Sequence, residues 1–91
     1  KNIMSKTKNK KQKIPKWFKG DVYSEGTTVR NPFSGETYEL NAIELSLYDF
    51  IIGSQMVFSQ FEATRKQITD FDKALRWFRV NNPEAYMVLL D

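Results

Sequence analysis

This sequence predicts an α+β fold: an N-terminal β-hairpin or small meander, then two main α-helices and a short C-terminal helix. Three observations lead there. Residues 21–40 alternate with a period of two. Residues 40–61 repeat apolar side chains at helical spacing. Two later stretches each open on a recognisable helix cap.

Taken in order, residues 1–13 are rich in Lys and Asn and nearly free of core formers, which predicts a disordered basic arm. Met4 reads as the start of an open reading frame, which would make Lys1–Ile3 upstream or vector-derived. Residues 14–91 are expected to form one small domain. Its first segment, Ile14 to Gly20, carries Trp17 and Phe18. Two readings of these rings stand. They tether the segment to the core while the lysines stay wet, or they stack on a base or fill a partner's pocket. The tether is preferred.

Asp21–Tyr23 is expected as a short strand, followed by a turn through Gly26. Thr28–Asn31 and Glu36–Leu40 are expected as the hairpin strands, with Val29, Tyr38 and Leu40 on one side. The link between them holds Pro32 at a turn corner and Gly35 where a positive φ returns the chain.

Asn41 caps the central helix, and Glu44 three residues on completes a capping box. At 1.5 Å per residue, this helix of roughly 20 residues runs about 30 Å. One face collects Ile43, Leu47, Phe50, Ile51, Val57, Phe58 and Phe61, and a second, almost opposite, collects Leu45, Tyr48, Ile52 and Met56. Glu44 and Ser46 are expected on the polar seams between them. A surface helix needs one apolar stripe, so two stripes predict cover on two sides. Gly53, mid-helix, costs about 1 kcal/mol relative to Ala, which close approach of another backbone or a slight bend would explain.

Thr64 and Gln67 repeat the capping box for a second helix ending near Asn81. It is expected to be one-sided through Ile68, Phe71, Ala74, Leu75 and Phe78, with Asp70 among the solvated residues. Asn82-Pro83-Glu84 then restarts a short helix over Ala85–Leu90.

The net charge of +3 hides an asymmetry. Residues 1–19 hold eight lysines and no acid, whereas residues 20–91 hold six basic and eleven acidic side chains, a net −5. Lys6, Lys8, Lys10, Lys11, Lys13, Lys16 and Lys19 therefore form a candidate polyanion-binding arm, able to give weak, non-specific nucleic-acid affinity through phosphates. Arginine, the better base reader, is absent there. The competing reading is a solubilising tail, or one that interacts with the acidic domain.

With no Cys and no His, the chain has no thiolate, no imidazole base and no disulfide framework, and lacks the two commonest soft metal ligands. No Gly-rich phosphate loop, nucleophile elbow or dinucleotide fingerprint is present. Glu44 and Asp49, five apart, do not share a helical face, and Asp70 and Asp72 diverge. No enzyme activity, cofactor, metal or small-molecule substrate is expected. The central helix carries Glu44 and Asp49 inside too short an apolar run to span a bilayer, so no membrane is expected. More lysine follows the basic start, so no secretory signal is expected either.

Three stretches carry a resemblance: Asn31–Glu36 (NPFSGE); Glu39–Ala42 (ELNA) with Leu47–Gly53 (LYDFIIG); and Trp77–Asp91 (WFRVNNPEAYMVLLD). Over residues 15–91 the chain resembles a small family of T4-like marine cyanophage proteins. The resemblance implies a phage-encoded protein in the host-cell cytoplasm. That family carries no established activity, so no functional residue is transferred.

The expectation is a non-enzymatic interaction or accessory protein that self-associates, with a homodimer favoured. Leu45, Tyr48, Ile52, Gly53 and Met56 are the candidate interface. The alternative is a nucleic-acid-binding accessory protein that uses the lysine arm.

Overall fold

A computed structural model describes residues 12–91. Two strands, β1 (Thr27–Arg30) and β2 (Thr37–Leu40), are followed by α1 (Ala42–Gln60), α2 (Arg65–Asn81) and α3 (Pro83–Leu89). The fold is α+β, as the alternation and the caps indicated.

The hairpin is antiparallel, with Val29 opposite Tyr38 and Thr27 opposite Leu40. This register places Val29, Tyr38 and Leu40 on one face, because side chains alternate along a strand. Its six-residue link is shaped by Asn31, whose Oδ1 accepts the N–H groups of Phe33 (2.8 Å) and Ser34 (3.2 Å). Gly35 takes the positive φ of 81°. The Asn31 amide also donates to the Val88 carbonyl at 2.9 Å, fastening the link to α3. Asp21–Tyr23 is not a strand. Its backbone bond to α1, from the Tyr23 N–H to Ser46 Oγ at 2.9 Å, goes to a side chain and continues no ladder. At Gly26 the chain passes so close to β2 that a Cβ would collide with the Leu40 carbonyl and sit 2.7 Å from Asn41 Cα.

Both capping boxes form: Asn41 with Glu44, and Thr64 with Gln67. Asn82 ends α2 and caps α3, with Pro83 in the first helical turn. The core joins Phe18, Leu40, Leu47, Ile51, Ala74, Phe78, Ala85 and Leu89, drawn from the N-terminal segment, β2 and all three helices.

Two expectations about helix faces are corrected. Glu44 and Ser46, expected on polar seams, are fully buried. On α2 the buried residues are Asp70, Ala74, Phe78 and Asn81, with Trp77 half-buried beside them and Ile68 exposed. The fully buried stripe is thus rotated by about 70° from the purely apolar one, although Phe71 and Leu75 still pack half-buried against the core. Asp70 tolerates this because its carboxylate meets Lys66 at 3.0 Å one turn earlier.

Candidate interaction surface

The N-terminal segment is a tether. Phe18 is buried, and Trp17, Phe18 and Phe50 form an edge-to-face triangle with centroids 5.4–6.4 Å apart. Attachment begins before Ile14. Gln12 donates to Glu44 Oε2 at 2.8 Å and accepts from the Asn41 side-chain amide at 2.9 Å.

These bonds belong to a polar junction at the start of α1. Glu44 Oε1 accepts the Asn41 N–H at 3.0 Å, and Oε2 also accepts from the buried Asn82 amide at 2.9 Å. Asn82 Oδ1 takes the Ala85 N–H at 3.2 Å and the Tyr38 hydroxyl at 3.4 Å. The same hydroxyl proton is shared with Glu84, closer at 3.1 Å. Burial, then the bond to Glu84, holds the Tyr38 phenol above its ordinary pKa. Donors thus take the place of water around Glu44, the condition for burying a carboxylate. Among the described residues, no buried side-chain nitrogen or oxygen lacks a partner. The junction ties tether, hairpin, α1 and α3 together, and its groups are occupied with one another.

The expected interface residues divide along α1. Leu45 and Tyr48 are half-buried and pack against the chain's own core, and burial raises the Tyr48 phenol. Ile52 is half-buried, Gly53 is exposed, and Met56 is 61% exposed. Val57 joins the open group, although sequence periodicity put it on the inner face. Ile52, Met56, Gly53 and Val57 follow one another over about 140° of the helix circumference. Phe61, just past the helix end, and Ile68 at the start of α2 are also exposed, as is Phe33 at the hairpin tip.

Gly53 lies near the centre of this open sector. A Cβ built there meets nothing within 4 Å, so no close intrachain approach accounts for the glycine. Beside it, residues 19–21, α1 and the first turns of α2 enclose an open groove of about 550 Å³. Phe50, Gly53, Val57 and Phe58 give it an apolar floor, while Lys19, Asp21, Asp49, Lys66 and Asp70 supply charge. Asp49 accepts from the Tyr23 hydroxyl, the first cause of that phenol's raised pKa. A second hollow of about 570 Å³ lies against β2.

Of the expected arm, Lys13, Lys16 and Lys19 are exposed on the tether. Lys6, Lys8, Lys10 and Lys11 lie outside the described residues, as does most of the segment expected to be disordered. Among the described residues, no group of three or more acids is arranged to hold a metal, and no helix is long and apolar enough to cross a membrane. Lys73 and Arg76 are exposed on the polar side of α2, where the sequence placed them, but together with the exposed Arg65 they were not read as a site. The signal was present as a cationic helix face, but summing residues 20–91 into one acidic total concealed it.

Comparison with protein-family models, curated proteins and solved structures found no significant match.

Proposed function

We propose that this chain is a non-enzymatic interaction protein that self-associates through the C-terminal half of α1. The observation that carries the reading is Gly53, exposed with open space around its Cα and flanked by Ile52, Met56 and Val57. A mid-helix glycine costs stability that no intrachain packing here returns, and a crossing helix from a second copy supplies the reason. Two-fold symmetry makes one patch serve both partners. Leu45 and Tyr48 contribute at the margin, since their own chain already half covers them.

Light scattering at tens of micromolar tests this on the wild type and on Ile52→Glu, which would bury a charge at the contact. The reading expects a dimer that the variant reduces to a folded monomer. A monomeric wild type sinks it, and a folded, dimeric variant moves the interface elsewhere.

The alternative, a nucleic-acid-binding accessory protein using the lysine arm, predicts affinity that falls steeply with salt. Phage origin, which the resemblance implies, is a separate matter that gene neighbourhood tests. A locus within a T4-like phage genome supports it, and an isolated bacterial locus removes it.

A further inference from the structure

Among the described residues, nine side chains are Lys or Arg, and all but Arg30 lie on residues 13–19 or on α2. Three contacts show that these two segments run side by side in opposite directions. At one end, Gln12 Nε2 reaches the Asn81 carbonyl at 3.4 Å. In the middle, Lys73 Nζ sits 6.0 Å over the Trp17 ring. At the other end, Lys19 and Lys66 line the same groove. Lys13, Lys16 and Lys19 thus flank α2, whose outward side carries Arg65, Lys73 and Arg76.

All of these side chains are exposed, and on α2 the one exposed acid is Asp72, because Asp70 is buried against Lys66. Most other exposed acids lie elsewhere, Glu25, Glu36 and Glu39 around the hairpin and Glu84 and Asp91 at the C-terminal end. Asp21 and Asp49 sit in the groove at the Lys19 end, and Glu62 just precedes α2. The net −5 of residues 20–91 is therefore not spread evenly over the domain.

We infer that the outer face of α2 and the tether lysines form one composite site for the phosphate backbone of a nucleic acid. From Arg65 to Arg76 the helix rises about 16 Å. A row of cations of that length, with a second row beside it, matches a partner with regularly spaced phosphates, since duplex DNA carries a charge about every 1.7 Å of its axis. The arginines add fork-shaped donors suited to phosphate, which the lysine arm lacks. Contacts of this kind position a protein on the backbone without reading sequence. The site goes beyond the proposed self-association and needs neither the dimer nor residues 1–11.

Fluorescence anisotropy on the full chain tests it, with labelled mixed-sequence duplex DNA, duplex RNA and single-stranded DNA titrated over a salt series. Circular dichroism accompanies each variant. Arg65→Ala with Arg76→Ala is expected to weaken binding about tenfold and to reduce the salt slope by about two. Thr28→Glu with Thr37→Glu makes the same net charge change on the exposed hairpin and is expected to leave binding within about twofold of wild type. Replacing Lys6, Lys8, Lys10 and Lys11 with Gln is expected to weaken binding without abolishing it.

Four results overturn the inference. One is a wild type that binds none of the three probes. Another is equal loss from the hairpin and α2 variants, which reports net charge alone. A third is loss confined to the arm variant, which returns the site to the arm. The last is binding to phosphatidylserine vesicles with none to nucleic acid.

Discussion

The two halves of α1 are built on opposite terms. In the N-terminal half, Glu44 and Ser46 are polar and fully buried, because Gln12, Tyr23, Asn41 and Asn82 donate to them from four other places in the chain. In the C-terminal half, Met56 and Val57 are apolar and exposed, and Gly53 has open space around it. Burial along this helix follows where the chain has cover to offer, and polarity follows burial only where donors can be supplied. Cover is concentrated where tether, hairpin and the C-terminal half of α2, with its buried Ala74 and Phe78, meet α1. Toward Phe61 only the start of α2 and the aromatic pair Phe58–Phe71 (5.4 Å) remain.

The contrast breaks most visibly at the junction. Glu44→Ala strands the Asn41 N–H and the Gln12 and Asn82 amides, and is expected to cost about 4 kcal/mol in urea unfolding. A loss below about 1 kcal/mol would mean that water enters and replaces the carboxylate. Next is a matched pair of truncations in dilute protein. Leu47→Ala, in the covered half, is expected to cost about 3 kcal/mol, and Met56→Ala, in the open half, less than about 0.5 kcal/mol. Equal costs would erase the distinction.

Gly53→Ala reverses the sign. With nothing within 4 Å of the added Cβ, the dilute chain is expected to gain about 0.5–1 kcal/mol. A loss of stability would reveal a close approach that the open space denies.

The smallest effect is alkaline and belongs to the covered half. The folded state holds the Tyr38 proton more tightly than the unfolded chain, whose phenol titrates near 10.0. That contribution is intact below pH 10 and is lost as pH rises through the higher folded value. Tyr38→Phe is therefore expected to reduce the drop in thermal midpoint between about pH 8 and about pH 11. Burial of Tyr48 preserves part of the drop. An unchanged drop would detach Tyr38 from the junction.

What the sequence made legible is what its neighbours within four residues decide. Asn41 with Glu44, Thr64 with Gln67, and Asn82 with Pro83 each carry their helix start in adjacent letters, and Gly35 marks the return of the hairpin. The role of Glu44 was half legible. Its capping bond is local, but its burial depends on Gln12, 32 residues before it, and Asn82, 38 residues after it. No periodicity encodes such partners. The rotation of α2 escaped for the same reason, since a stripe drawn through apolar letters cannot include Asp70 or Asn81. Of the candidate interface residues, Gly53 and Met56 are exposed and Ile52 is half-buried. Sequence reading did not foresee that Leu45 and Tyr48 would pack on the core, which depends on how the elements assemble.

The central claim is that a second copy covers the open half of α1. Its most direct test is the thermal midpoint of the wild type and of Ile52→Glu over a hundredfold range of protein concentration, about 1 to about 100 µM. A dimer stabilised by mass action predicts that the wild-type midpoint climbs with concentration while that of the variant stays flat. A wild-type midpoint as flat as the variant's would contradict the account and leave α1 exposed for another reason.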